Sequence, residues 1–296
     1  MGRWATPWLL LTPCLAVLAI VLGYPLVRMV TLSFQHYQQP QLWGFQPATW
    51  TGFSNYTAIL GDSQFWGVVE RTIIFAGGSV LITMVAGMLI ALLLQRVSPW
   101  VKTLVNIALV ASWAMPVIVA VTVFKWMFDT DYGVVNWVLN KLPGLHYDGH
   151  NWFASGTQGL AVIMLLVVWG AIPFVAITLS AGLTQVPREL EEAARLDGAG
   201  AFGVFRYVTF PIIKPLVVMM TTLSIIWDMG VFPQVWLIRG GHPEQQFQLL
   251  TTYSYDKAFN INDYATGSAI AVITVALLMG VVAVYMRQML KIGEVE

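Results

Sequence analysis

Six runs of about 20 apolar residues dominate this chain and leave it few folds to choose from. Their apolar cores, residues 7–27, 72–94, 103–124, 160–183, 215–237 and 265–286, are long enough to cross bilayer hydrocarbon at about 1.5 Å of helical rise per residue. Only the fifth core holds an Asp, Glu, Lys or Arg, namely Asp228. A soluble domain that is 57% hydrophobic and 10% charged, with a mean hydropathy of +0.71, would expose apolar patches and aggregate. In lipid every backbone N–H and C=O must be satisfied internally, so continuous runs of this length predict helices. Closed barrels need short alternating strands instead. The reading is an all-α integral membrane protein with six transmembrane helices, at about 7–33, 67–95, 103–127, 156–184, 211–237 and 265–290. They form a single transmembrane domain over 1–296.

Lys and Arg in the connecting segments set the expected orientation. With the N-terminus inside, the inner segments hold Arg3, Arg96, Lys102, Arg188, Arg195, Arg206, Lys214, Arg287 and Lys291. The outer segments are longer and hold Arg28, Arg71, Lys125, Lys141, Arg239 and Lys257. Both termini are therefore expected in the cytoplasm. Trp4, Trp8, Trp66, Trp100, Trp126 and Trp152 fall near predicted span ends, where interfacial aromatics belong. The single cysteine, Cys14, excludes an internal disulfide and a cysteine-based metal cluster. The first span is long and ends in no small-residue cleavage site, so it reads as a permanent helix rather than a signal peptide. A formal charge of zero gives no reason to propose nucleic-acid binding.

Of the outer loops, residues 125–159 gather Asp129, Asp131, His146, Asp148 and His150, but at no metal-ligand spacing. No nucleophile elbow, phosphate-binding Walker loop or His-Glu-x-x-His is present. Any energy for transport must then come from a partner or an ion gradient. The inner segment 185–210 is charged, rich in Ala and Gly, and lies between two apolar runs. It reads as helix, sharp turn, helix. Pro187 suits a first helical position, while Glu189, Glu191 and Glu192 lie early in the helix and Arg195 near its end, as the helix dipole favours. Leu190, Ala193, Ala194 and Asp197 share a face, kept shallow by the two alanines, where another protein's backbone could approach closely. Gly198 permits a left-handed helix end.

Glu192-Ala193-Ala194-x-x-Asp197-Gly198-Ala199, followed by Phe205-x-x-Val208-x-Phe210-Pro211, resembles the EAA loop of permease subunits of binding-protein-dependent ABC importers. Phe210 stands where Leu is usual in that family. Further blocks resemble the sugar-importer branch, in its MalF- or UgpA-like subunit. They are Gly52-Phe53-x-Asn55-Tyr56, Asp131-Tyr132-Gly133-x-x-Asn136, Trp169 with Pro173-Phe174, and Gly240-Gly241-x-Pro243. Pro233, Arg239 and His242 depart from that branch's pattern.

The resemblance implies a permease with no catalytic site and no cofactor of its own. It implies pairing with a second, MalG-like permease, and coupling to a cytosolic ABC ATPase dimer that binds ATP and Mg. An external solute-binding protein would deliver a sugar, expected to be a di- or oligosaccharide, for translocation across the prokaryotic cell membrane by alternating access. Residues 185–210 become the cytoplasmic coupling (EAA) loop between helices 4 and 5, with Glu189, Glu192, Ala193, Ala194, Asp197, Gly198 and Ala199 meeting the ATPase. Sugars are held by aromatic faces and fixed hydrogen-bonding groups. The expected pathway residues are Trp169, Trp227, Asp228, Gln234 and Ser268, with Ser180 and Thr274 also on facing spans. An intramembrane carboxylate costs about 2.5–3.5 kcal/mol on insertion scales, so Asp228 should face a cavity or a partner. A proton-coupled secondary carrier of a small polar solute is the alternative, but it would show internal repeats that the two halves lack. An integral-membrane enzyme would need an interfacial cluster with catalytic spacing, and none is seen.

Overall fold

The computed structural model describes residues 5–293. Arg3 and Trp4 and the side chains of Trp8 and Lys291 lie outside the described residues. The protein is an all-helical membrane protein with five to six candidate transmembrane helices. Five are Leu10–Ser33, Ser63–Leu94, Gly156–Leu183, Ala201–Ile238 and Tyr264–Val284. The third predicted span is not one rod. It is the pair Pro99–Trp113 and Val117–Met127, bent by 96°. Pro116 causes the break: it has no N–H to donate and pushes Met115 out of helical geometry, so Trp113 closes one helix and Pro116 (φ −57°, ψ 134°) caps the next. The fifth predicted span is interrupted too. Its helix Phe210–Met229 stops at Gly230, and a short helix, Pro233–Ile238, follows.

Proline also explains two widened turns. A π-turn at Ala19–Gly23 precedes Pro25 in the first span, and another at Phe205–Thr209 precedes Pro211 in the fifth. A proline ring clashes with the carbonyl four residues back, and an extra residue per turn relieves the clash without ending the helix.

The chain divides into two compact units. One comprises residues 1–69 and 250–277. Its core joins Ile59, Phe65 and Val68 to Leu250, Tyr253, Ala269 and Ile270. A two-residue ribbon pairs Gln35–His36 antiparallel with Thr49–Trp50. Beside it the Gly52–Tyr56 block ties helix 54–60 to the end of the first span. Asn55 donates to the Ser33 and Gln35 carbonyls at 2.9 Å each, and Tyr56 and Ser33 share a 2.7 Å hydroxyl bond.

The other unit, residues 70–249 and 278–296, is organised by the fourth span, Gly156–Leu183. Its first half packs Leu160, Ile163 and Leu166 against Phe75, Phe124, Val235 and Phe247. Its second half packs Val175, Leu179 and Leu183 against Ala91, Ile213 and Met220. Tail-to-tail apolar contact adds little in lipid, so close backbone approach matters more. A Cβ at Gly87 would lie 2.6 Å from Val175, and one at Gly182 only 2.2 Å from Leu216. Gln95 locks the same region, donating at 3.1 Å to both the carbonyl and the hydroxyl of Ser180. Ser180 is therefore buried in a helix-to-helix tie and not free to line a pathway. Thr274, likewise buried, is bonded back to the Ile270 carbonyl of its own helix at 2.9 Å.

Candidate functional site

The segment after the fourth span contains a short helix, Arg188–Leu196. Pro187 sits before it as the cap (ψ 128°), one residue earlier than expected, because its extended backbone cannot belong to the first turn. Glu189 and Glu191 occupy that turn and Arg195 the last, each on the side the helix dipole favours. At the far end Gly198 takes φ +87°. Its N–H reaches the Arg195 carbonyl and the Ala199 N–H reaches the Ala194 carbonyl, both at 3.0 Å. This double closure is a Schellman motif, and its left-handed residue is the position a side chain would strain.

Glu189, Glu192, Ala193, Asp197 and Gly198 are exposed, and Ala194 and Ala199 half-buried. Apolar side chains also point outward: Leu196 is 89% and Phe202 78% exposed. The polar tie within the protein falls to Glu191 rather than to its neighbour Glu192. Glu191 accepts a 3.1 Å bond from the Thr209 hydroxyl and faces Arg195 at 3.8 Å.

Four of the five expected pathway residues meet at one cavity of about 240 Å³. Trp169, Trp227, Asp228 and Gln234 all line it; Ser268, half-buried on the sixth span, is not in its lining. The break at Gly230 makes this possible, since it brings Gln234 of the following short helix to the same space as Asp228 in the last turn before it. Phe174 stands between two indoles. Trp113 is 6.1 Å away and nearly parallel at 22°, and Trp227 is 5.3 Å away at 59°. Trp113, which ends the helix before the 96° bend, was not among the expected pathway residues. Pro173 has no N–H for the Trp169 carbonyl four residues back, so that carbonyl loses its usual helical donor beside the cavity.

Asp228 is only 3% exposed, and its Oδ2 has no hydrogen-bond partner among the described residues. The Oε1 of Gln234 is also buried and unpartnered. Buried polar atoms are almost always satisfied, so two orphaned acceptors on one cavity mark a place built for something that donates.

The remaining outer-loop blocks are structural. Asn136 is buried and acts as a hub. It donates to the carbonyls of Thr130 and His150 at 3.2 and 2.9 Å, and accepts the Trp152 indole N–H at 2.7 Å. Trp152 stacks on Tyr147 and meets Phe128 edge-on, so it wedges this loop and does not serve as an interfacial anchor. Asp129 accepts the N–H groups of Tyr132 and Asp131, which hold its carboxyl below the usual range. At the end of helix Pro233–Ile238 the Schellman closure recurs, with Gly240 at φ +64° and the Gly241 N–H on the Trp236 carbonyl at 2.8 Å. Arg239 is ion-paired with Glu244 and stacked 4.2 Å from the Phe247 ring centre. It is not a free cation at a pathway mouth.

Residues 83–291 match the family described as "Binding-protein-dependent transport system inner membrane component". The chain is 43% identical over 291 residues to the diacetylchitobiose uptake system permease protein DasB of Streptomyces coelicolor, covering 98% of this chain and 88% of the relative. It is 34% identical over 282 residues to the sulfoquinovosyl glycerol transport system permease protein SmoG of Agrobacterium fabrum, covering 94% and 88%. Among solved structures, a bacterial ABC transporter involved in the import of the acidic polysaccharide alginate aligns with a TM-score of 0.79 at 19% identity, over 96% of both chains. The chain belongs to the binding-protein-dependent transport system inner membrane components. It is the permease component of an ABC importer, an inner-membrane multi-pass protein, and the proton-coupled carrier reading falls away with that membership.

Proposed function

We propose that this permease translocates a carbohydrate, a di- or oligosaccharide, by alternating access with a second, MalG-like permease. An external solute-binding protein delivers the sugar and a cytosolic ATPase dimer drives the cycle. The loop 185–210 seats on that ATPase: Glu189, Glu192 and Asp197 offer exposed charge, Ala193, Ala194 and Ala199 a shallow surface, and Gly198 the turn that shapes it. Both termini and this loop lie in the cytoplasm of a prokaryotic cell. Trp169, Trp227, Asp228 and Gln234 line this chain's share of the pathway, with Ser268 on the sixth span as a further pathway residue. ATP-driven closure of the ATPase dimer moves the paired permeases as rigid bodies between inward- and outward-facing states.

The observation that carries the carbohydrate reading is the cavity. Aromatic faces suit the C–H surfaces of a pyranose ring, and two unpaired acceptors suit its hydroxyl groups. The permeases named for diacetylchitobiose and sulfoquinovosyl glycerol uptake, alike over nearly the whole chain, support it. The test is reconstitution of this chain with its neighbouring permease, ATPase and binding protein in proteoliposomes. Labelled disaccharides should accumulate only with ATP, and a protonophore should leave uptake unchanged. Uptake that follows the proton gradient and ignores ATP would overturn the proposal, as would failure of every saccharide to accumulate.

A further inference from the structure

Resting on the reading of residues 185–210 as the coupling loop, we propose a second site in this chain. It is a phosphate-binding cavity between that loop and the ends of the second and fourth spans, with Arg96 and Arg188 as its two grips. The cavity holds about 500 Å³, inside the range of about 300–1,000 Å³ usual for small-molecule sites. It shares no lining residue with the aromatic cavity around Asp228. The turn after the helix Ser63–Leu94 supplies Arg96, and the helix Arg188–Leu196 supplies Arg188 and Arg195. Leu183, Val186 and Val204, all buried, give the cavity an apolar floor.

The side-chain donors of this lining are spent, with two exceptions. Gln95 gives its amide to Ser180, Thr184 its hydroxyl to the Ala181 carbonyl, and Thr209 its hydroxyl to Glu191. Arg195 faces Glu191 at 3.8 Å. The guanidinium groups of Arg96 and Arg188, both exposed, have no hydrogen bond or ion pair among the described residues. Two like charges on one cavity repel, and Arg188 stands in the first turn of its helix, where the dipole disfavours a cation. A phosphate set between the two guanidiniums offsets both penalties. Each planar fork can donate a pair of parallel N–H bonds to phosphate oxygens, beside an apolar floor that keeps water back. Of the lining carboxylates, Glu191 is already held by Thr209 and Arg195, and Glu192 is exposed, where solvent and salt screen its repulsion. Basic pockets on the cytoplasmic side of membrane spans take lipid headgroups, so the phosphate has two sources, an inner-leaflet phospholipid or a free phosphate. Bound there, it bridges the turn after the second span to the start of the coupling helix and braces that helix.

The experiment uses the complete importer in detergent, its nucleotide sites filled with a non-hydrolysable ATP analogue and Mg so that they take no phosphate. Three probes are titrated at constant ionic strength: phosphatidylglycerol, diacylglycerol with the same chains, and inorganic phosphate. Native mass spectrometry counts bound lipid, and phosphorus NMR line-broadening reads bound phosphate. Phosphatidylglycerol or inorganic phosphate should bind Arg96→Gln and Arg188→Gln about tenfold more weakly than the wild type, the loss expected for one charge-assisted contact. Diacylglycerol should bind all three proteins alike and more weakly than phosphatidylglycerol does the wild type. Arginine-dependent binding of phosphatidylglycerol that inorganic phosphate does not displace identifies the lipid as the source. Displacement by inorganic phosphate identifies a free phosphate, and either result supports the cavity. Binding of both phosphate probes that is the same in wild type and variants, or absent throughout, would overturn the proposal, as would diacylglycerol binding the wild type as tightly as phosphatidylglycerol. If Arg96→Gln fails to assemble, Arg188→Gln decides by the same criterion. If no ATPase co-purifies with the chain, it is the coupling-loop reading that has failed, and the same titration on the chain with its second permease still judges the cavity.

Discussion

The loops that follow the fourth and fifth spans end their helices with the same backbone device and put it to opposite use. At Gly198 and at Gly240 a left-handed residue closes a Schellman motif. After Gly240 the chain folds back on itself: Arg239 is gripped by Glu244, lies over Phe247 and also donates to the Phe153 carbonyl at 3.5 Å. After Gly198 the return is looser: among the described residues one hydroxyl bond, from Thr209 to Glu191 at 3.1 Å, ties it back to the helix. Leu196 and Phe202 remain exposed, and the ion pair there, Glu191–Arg195, is long at 3.8 Å. A helix end whose neighbours satisfy each other stabilises its own fold, whereas one whose apolar and charged groups point outward leaves the surface that the proposed seat on an ATPase requires. The backbone alone would not distinguish them; the side chains within seven residues of the glycine on either side do.

The contrast can be broken most forcefully at Gly198. A Cβ at Gly198 meets no atom within 4 Å, so the effect of Gly198→Val runs chiefly through the disfavoured φ, about 1–2 kcal/mol at the turn. ATP-driven uptake should fall by about tenfold or more while insertion and permease pairing persist, since about 1.4 kcal/mol lost at a coupling joint is tenfold in rate. Uptake retained at the wild-type rate would mean the turn shapes nothing that matters. Arg239→Ala addresses the other side. It should lower unfolding stability by about 1–2 kcal/mol, the range for a charge-assisted bond plus a cation–π contact, with ATP coupling kept. A melting temperature equal to the wild type would erase the distinction between the loops.

Acid loosens the same clasp. The side-chain bond from Arg239 holds the Glu244 carboxyl below the ordinary glutamate range. A depressed folded value means that the stabilisation is fully present above the unfolded pKa and is lost as pH falls through the folded one. Thermal stability should therefore decline on acidification across that interval, and Glu244→Gln should flatten part of the decline in parallel melts. The smallest effect is expected for Arg195→Ala. Its side chain is 66% exposed and its pair long, so stability should change by less than about 0.5 kcal/mol, within the scatter of a careful denaturation series.

The long apolar runs made the helical class legible, because lipid allows them little else. Gly198 was legible for a related reason: an Asp-Gly after an amphipathic stretch asks for a left-handed end, and φ +87° supplies it. The break in the third span is signalled in the sequence by Pro116 alone. An apolar run scores the same whether straight or bent, and only the position of proline inside it carries the signal. Trp113 depends on the same signal, since its place at the cavity follows from ending a helix there. Ser180 misled for the opposite reason. A polar residue on a facing span looks available until its partner is known, and Gln95 lies 85 positions away. Glu191 and Glu192 differ only in which face they occupy once the return helix has placed Thr209.

The right-angled bend at residues 114–116 has a consequence for a polar solute. A helix terminates at Trp113 and another begins at Val117, and each end leaves amide and carbonyl groups without partners inside its own helix. Trp113, Met115 and Val117 all border the cavity. For the sugar proposed above, such peptide groups would stand in for water where an unbroken rod would present none. On the proposed pathway the main chain would then lower the barrier to dehydration and leave the side chains to discriminate rather than to solvate.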